Sequence, residues 1–529
     1  MQSIPVLSHI SGNTASEECF DRARKWLGFC VKSHTSCKQR NSTIGPRRLL
    51  DLRAVDAPLE TGFVRLIEAD QSSPEPTFIL LKYACLSHCW GSGSMMTTKS
   101  TNISNYKQGI QFNALPKTFQ EAIIAVKRLD VSYIWIDSLC IIQDSLEDWA
   151  KEANRMAGIY SNAYLTLAAS KATGPEDGCF SVTPRQYLSK EFEVIGLENK
   201  RVSTVYVRKP INHTVWPLLK RGWVFQERFL SKRVLHFTGE EIVWECREQT
   251  LCECSHALTA WSPSDSLDSK SALDRHFSSV LVTQPGDIWR DIIARYTKLN
   301  LTFQKDILPA LSGLAENFVL YASNITIGSF MKLSARDYCA GLWRQNLRID
   351  LLWCVYINTS NSRPQHWRAP SWSWASTLSS IRYQTLAGRR ISSTSIAKTY
   401  IHVQSVHCTP MVHPYGELSS GNLTLRGLIT AARPYYDSGR LDGPYLEVQG
   451  QKGVSPQWDD PVVDRKLSVD LGPTVFLLKM ATTNEHEKGE VDEYEPEMIC
   501  LVLKCLDEKG MTFERAGFLS TYWPKEKAK

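Results

Sequence analysis

Two stretches of the chain bring together residue types suited to a polar ligand. In Ser87-His88-Cys89-Trp90-Gly91-Ser92-Gly93 a mostly apolar run stops at glycines, which let backbone amides approach a phosphate or carboxylate. The order matches neither a Walker loop nor the dinucleotide fingerprint, so an ordinary polar strand-to-loop turn is the plainer reading. In Asp137-Ser138-Leu139-Cys140 the carboxylate can accept hydrogen bonds from a ribose or cap its own loop. Glu152 follows one helical turn after Asp148. A carboxylate there can act as a general base or steady an oxocarbenium-like centre in glycosidic cleavage, or it can simply pair with Arg155 at i+3.

Cysteines near histidines form a second group. Cys30-x3-His34-x2-Cys37 offers three soft ligands, and Cys246, Cys252, Cys254 and His256 offer four, neither in a standard zinc spacing. Cys252, Cys254 and His256 would share one face of an extended strand, a placement that packing also explains, and no metal is expected. Cys89 or Cys140 beside His88 has the makings of a nucleophile, although inert buried cysteine is the commoner case. Trp367, Trp372 and Trp374 could stack a sugar or base. The alternation at 372 and 374 puts two indoles on one face of a strand, which favours a core layer. Arg221-Gly222-Trp223-Val224-Phe225-Gln226-Glu227-Arg228 reads as a buried ion-pair element tied to the sheet.

The elements that must position these groups follow from periodicity. Residues 1–77 read as an N-terminal extension, with a helix around Cys19–Cys30 and short strands at Leu49–Val55 and Gly62–Ile67. From residue 78 the order is strand, helix, strand, helix, strand. Tyr83–Ser87 is a buried strand, and Pro116 opens a helix with the stripe Phe119, Ala122, Ile123, Val126 and Leu129. Val131–Asp137 is a strand. Ser145 caps a helix carrying Trp149, Ala153, Met156 and Tyr160, and Ala163–Ala169 is the third strand. Alternation of this kind predicts an α/β core built on a parallel sheet with right-handed crossovers. Gly222–Leu230 is expected to be helical, and Arg233–Phe237 with Glu241–Cys246 to form a hairpin. Residues 261–378 are expected to be mainly helical, including Asp287–Tyr296, Ile307–Asn317 and Gly341–Leu352. Residues 379–529 read as β-rich, with strands near Tyr400–Val406, Asn422–Leu428 and Thr474–Leu478 and an acidic loop at Glu485–Glu497.

Composition narrows the function classes. At 529 residues the chain exceeds one core, and 43% apolar with 22% charged residues is ordinary for a folded protein. The net charge of +6 is small for this length and forms no basic groove, so nucleic acid is not expected. No apolar run approaches membrane-spanning length, and no signal peptide is evident at the start. Fifteen cysteines, an odd number, suit reduced thiols in the cytoplasm better than a disulfide framework.

Several of these segments, in this order, resemble the fungal heterokaryon-incompatibility (HET) domain. They are Tyr83-Ala84-Cys85-Leu86-Ser87-His88-Cys89-Trp90-Gly91, Leu115-Pro116-Lys117-Thr118-Phe119 and Trp135-Ile136-Asp137-Ser138-Leu139-Cys140-Ile141-Ile142-Gln143-Asp144, followed by Asp148-Trp149 through Tyr160, the 221–228 element and Trp244-Glu245-Cys246. The likeness covers residues 78–260. The flanks Trp26 to Asp51, Leu308-Pro309-Ala310-Leu311-Ser312-Gly313 and Arg368 to Ser376 also look like this family. His88-Cys89 departs from the residues commoner before the tryptophan, so neither takes a family-wide role.

The resemblance implies fungal non-self recognition, with programmed cell death triggered through a protein partner or self-association. It also implies a TIR-like, flavodoxin-like core, since HET domains are distantly similar to Toll/interleukin-receptor domains. Some of those domains cleave NAD with a helix glutamate preceded by tryptophan. Trp149-Ala150-Lys151-Glu152 is similar but one residue short, which turns the side chain by about 100°. On that alternative reading Glu152 is catalytic, Ser87, Trp90, Gly91 and Asp137 line the cleft, and NAD is the substrate. A third possibility is a relative recruited to a fungal gene-cluster pathway.

Overall fold

The computed structural model describes residues 8–38, 44–55, 62–69, 78, 80–195, 202–213, 216–255, 284–323, 333–356, 363–435, 444–459, 474–483, 497–507, 509 and 511–522. The chain divides into two units, Met1–Ser278 and Ser279–Lys529.

The first unit opens with α1 (Glu17–Ser33), whose N-cap Ser16 accepts a hydrogen bond from the Cys19 amide. β1 (Arg48–Asp51), β2 (Phe63–Glu68) and β3 (Tyr83–Ser87) follow, then α2 (Ile103–Gln108) and β4 (Ile110–Gln111). Next come α3 (Lys117–Arg128), β5 (Tyr133–Trp135), the single turn α4 (Asp137–Cys140), α5 (Leu146–Asn162) and β6 (Leu165–Ala168). The exposed hairpin β7 (Lys190–Ile195) and β8 (Val202–Val207) precedes α6 (Gly222–Leu230), β9 (Arg233–Phe237), β10 (Ile242–Cys246) and β11 (Thr250–Cys252).

Nine strands form one sheet in the order β11-β10-β9-β6-β3-β5-β1-β2-β4. The expected parallel strands are its centre, with β3 parallel to β5 and to β6, and the first strand of the expected hairpin, β9, extends them parallel to β6. Every residue of β3 and β6 is buried, as strands covered on both faces require. The sheet as a whole is mixed. β1 pairs antiparallel with β5, and β9, β10 and β11 form antiparallel ladders at the other side. The stripe of α3 is buried as its spacing demands, at Phe119, Ala122, Ile123 and Val126. Each fully buried Phe or Ile there contributes about 1.5–3 kcal/mol of transfer free energy. On α5, Ser145 accepts from the Asp148 amide at 3.2 Å, and the Tyr83 hydroxyl donates to the Ile159 carbonyl at 2.7 Å, fixing that helix to β3.

The second unit contains α7 (Pro285–Tyr296), α8 (Pro309–Ser323), β12 (Tyr338–Cys339), β13 (Leu342–Trp343), the single turn α9 (Leu347–Asp350), β14 (Cys354–Val355) and β15 (Ile381–Arg382). Among the described residues of 261–378, short strands thus interrupt the helices. Gly341–Leu352 is not one helix, because Ala340 (φ 51°) and Gly341 (φ 89°) form a tight turn between β12 and β13. Nor does Trp374 lie on a strand. Ser373 caps a short 3-10 turn, Trp374–Ser376, although the indole is buried as a core residue.

The remainder is β-rich as expected: β16 (Ile396–Thr399), β17 (His402–Pro410), β18 (Leu418–Arg426), β19 (Ile429–Tyr435), β20 (Tyr445–Val448), β21 (Gln451–Val454), β22 (Gln457–Trp458), β23 (Val475–Thr483), β24 (Glu497–Asp507) and β25 (Thr512–Tyr522). Eight of these strands make one sheet in the order β21-β20-β19-β23-β24-β25-β22, with β16 on β23; β17 and β18 pair separately. The acidic loop lies outside the described residues up to Glu497, the first residue of β24.

Candidate functional site

Parallel strands end on one side of a sheet, so β3 and β5 deliver the residues that follow them to a common rim. Ser87 closes β3, and its hydroxyl donates to Glu227 Oε2 at 2.6 Å in a buried bond. Asp137 begins the turn after β5. Its Oδ2 accepts from the Trp90 indole at 2.9 Å, its Oδ1 accepts from the Ser138 amide at 2.7 Å, and His88 Nε2 is 3.7 Å from Oδ1. Of the residues singled out in sequence, Ser87, Trp90 and Asp137 thus meet on this rim, and Gly91 adjoins it. Gly91 has φ 69°, and a Cβ there would come within 3.1 Å of Gly174 Cα, so the position favours glycine for two reasons.

The acid that completes the rim is Glu227, which the charges of the 221–228 stretch assign to an ion-pair element. Adjacent helical residues diverge by about 100°. On α6 Glu227 therefore turns toward Ser87 while Arg228 makes a two-pronged pair with Glu245 of β10, at 2.7 and 2.9 Å. That pair ties the helix to the sheet as expected. Burial pushes the Glu227 carboxyl up to about 7, against the hydrogen bond from Ser87, the charge of Arg221 and a bond from Tyr160. Burial also lowers His88, so it is held neutral. Arg221 donates to the His88 carbonyl and braces the loop.

Glu152 occupies a different neighbourhood. Its side chain is 0% exposed, with Arg155 at 3.7 Å, and the other charges acting on it are Arg48, Asp148 and Arg47. Among the described residues, neither carboxylate oxygen has a hydrogen-bond partner. Burial raises the group to about 7, although these arginines pull the other way. None of the rim residues is a hydrogen-bond or ion-pair partner of Glu152 among the described residues. Beside it Arg48 of β1 grips Asp148 at 2.9 and 2.6 Å and donates to the Cys140 carbonyl at 3.1 Å.

An open cleft of about 520 Å³ is lined by residues 94–96 and 113–117, Gln120 and Glu176. It borders the loop after Gly91 and the start of α3, and the residues chosen from sequence do not line it. The cysteines named as nucleophile candidates, Cys89 and Cys140, are buried, and desolvation pushes both thiols up, Cys140 to about 12. That is the behaviour of inert core thiols. All fifteen cysteines are free.

Two groups of side chains can offer ligands to a metal: Cys30, His34, Cys37 and Cys246, and separately His213, Glu241, Cys252 and Cys254. The topology divides the second sequence cluster, because Cys246 ends β10 on the α1 side while Cys252 and Cys254 approach His213. His256 lies outside the described residues. In the second group His213 Nε2 and Glu241 Oε1 are 2.7 Å apart, and burial, outweighed by the bonds to Cys254 and Glu241, leaves the imidazole near pKa 9.

No helix among the described residues is long and apolar enough to cross a membrane. No curated protein and no solved structure matches the chain. Residues 83–227, from the first residue of β3 to the carboxylate that meets Ser87, are similar to the family model of the heterokaryon incompatibility protein (HET).

Proposed function

We propose that this chain is a HET-type protein of fungal non-self recognition, which associates with a protein partner or with itself in the cytoplasm and triggers programmed cell death. The observation that carries this reading is the family match over residues 83–227, which takes in β3, α3, β5, α5, β6 and most of α6. The central order β5-β3-β6-β9 supports the TIR-like kinship from which a signalling role follows. The expected outcome is growth arrest when the full chain is expressed under an inducible promoter in a fungal host. Unimpaired growth at verified expression refutes the reading.

One observation favours a second reading, NAD cleavage. The Glu152 carboxylate is buried without a hydrogen-bond partner and held near pH 7, a state that costs stability and suits a proton-transfer or charge-stabilising group. In that reaction the bond between ribose C1′ and the nicotinamide nitrogen breaks with its electrons going to nicotinamide. The carboxylate steadies the positive centre, and when water adds to the oxocarbenium carbon its proton passes to that carboxylate. Trp90 and Asp137, the less buried rim residues, would hold the nucleotide. Because Glu152 is fully covered, substrate reaches it only after α5 or its cover moves. Nicotinamide release from NAD by the full chain tests this reading. Turnover that survives Glu152→Gln unchanged removes Glu152 from the mechanism, and turnover lost in Glu227→Gln alone transfers the role to the rim.

A further inference from the structure

Three thiols and an imidazole converge from two distant parts of the chain at the junction of α1 with β10. Cys30 is in the last turn of α1, His34 is its C-cap, and Cys37 lies in the turn that follows; Cys246 is the final residue of β10, 209 positions beyond Cys37. Their ligand atoms all lie within 4.8 Å of one another, and the four residues are 0–5% exposed. Zinc bound at about 2.3 Å to sulfur and about 2.0 Å to nitrogen makes a tetrahedron with edges of about 3.6–3.8 Å. The observed separation of Cys246 Sγ from His34 Nδ1, 3.3 Å, is close to such an edge.

Two of the three sulfurs accept N–H donors. The Gln249 amide donates to Cys246 Sγ at 3.3 Å, and Arg233 Nε donates to Cys30 Sγ at 3.2 Å. The same guanidinium donates to the Cys37 carbonyl at 2.9 Å, holding the third ligand's loop. Three thiolates and a neutral imidazole around a divalent ion carry one negative charge, which the buried Arg233 balances. Donors aimed at ligating sulfur and a fixed counter-charge are what orient and tune a metal's ligands. A disulfide could join only two of the three thiols and would leave the third and the histidine unexplained.

We propose that Cys30, His34, Cys37 and Cys246 bind one zinc ion in a closed, structural Cys3His site that clamps the N-terminal helix to the sheet. The chain spacing hides it, because Cys30-x3-His34-x2-Cys37 supplies three ligands and folding supplies the fourth.

The test is metal analysis of the full chain expressed with zinc and purified without chelator. Wild-type protein is expected to hold at least one equivalent of zinc, with Cys246→Ser and Cys37→Ser each holding one equivalent fewer. A wild-type chain without zinc, or variants that keep the wild-type content, overturns the proposal. Cobalt substitution of the wild-type chain guards against variants that misfold. Tetrahedral d–d bands with thiolate charge transfer are expected, and an octahedral spectrum without it overturns the site. His34→Cys should retain the equivalent and shift the cobalt spectrum toward four-thiolate coordination. An unchanged spectrum there removes His34 from the ligand set and sinks the proposal as stated.

Discussion

Replacing Glu152 by Gln should make the first unit progressively more stable relative to the parent as pH rises. The carboxyl is held at about 7 instead of the ordinary 4.5. At about 1.4 kcal/mol per pH unit, ionising it in the folded state therefore costs roughly 3 kcal/mol more than in the unfolded chain. Below pH 4.5 the group is protonated in both states and contributes nothing. Between pH 4.5 and 7 the unfolded chain releases its proton first, so stability falls as pH rises, and above 7 the full cost is present. Glutamine is close in shape and never ionises. Any fixed cost of burying its amide shifts the comparison equally at every pH. The difference in unfolding free energy between Glu152→Gln and the parent should thus climb by about 3 kcal/mol from pH 4.5 to pH 8. Urea unfolding of the full chain, followed through the transition of residues 1–278, measures it, and taking the difference cancels the other titrations. A difference that stays flat across this range refutes the assignment of Glu152 as a buried carboxyl whose desolvation outweighs the neighbouring arginines.

Asp148→Asn should cost about 1.5–3 kcal/mol, because it takes the charge from the two-pronged partner of the buried Arg48 guanidinium and leaves Glu68, 3.1 Å from Nε, as its carboxylate; adding Arg48→Met should recover part of that loss, both read from urea midpoints. Ser87→Ala removes a hydrogen bond that holds the Glu227 carboxyl down. Its titration should move above the wild-type value, seen in the carboxyl infrared band that Glu227→Gln abolishes. Since a raised carboxyl loses stability as pH rises, the falling limb should extend to higher pH in Ser87→Ala. In the second unit, Gly341→Ala would place a Cβ about 2.6 Å from the Trp374 ring at a backbone φ of 89°. A loss of about 2–5 kcal/mol is expected in thermal unfolding followed by tryptophan fluorescence.

Local pattern made much of the first unit legible. The α3 stripe, the Ser145 cap of α5, the β9–β10 hairpin and the parallel run β3, β5, β6 all follow from periodicities of 3.6 or 2 and from turn chemistry, which act over a few residues. Residues related by tertiary pairing were not legible. Short strands before residue 77 are expected, but their addition to the β5 edge pairs Leu50 with Ile134 and Asp51 with Tyr133, far off in the chain. Glu227 was named among charges bound for the sheet, and Arg228 does bind there. Which of two adjacent charges faces Ser87 is set by the helix azimuth, which spacing does not encode. Gly341–Leu352 misled for a different reason: its apolar residues recur at helical spacing, yet two positive-φ residues at its start make a hairpin turn. The cysteine clusters show the same limit, since Cys246 is nearest in sequence to Cys252 but lies in space beside Cys30, His34 and Cys37.

The folding unit is larger than the family match. Residues 83–227 contain β3, β5 and β6, but the strand that covers the outer side of β5 is β1, before the match, and the strand beside β6 is β9, after it. Cutting the chain at those limits would expose two long-buried strand edges, with unpaired amides and carbonyls ready to pair with other chains. It would also remove Arg48 from Asp148, Arg228 from its own helix end, and all four residues at the α1–β10 junction. Aggregation or death caused by such a fragment would report the exposed edges as readily as any signalling surface. The proposed function is therefore tested on the full chain, where the flanking strands remain in place and a toxic outcome belongs to the folded domain.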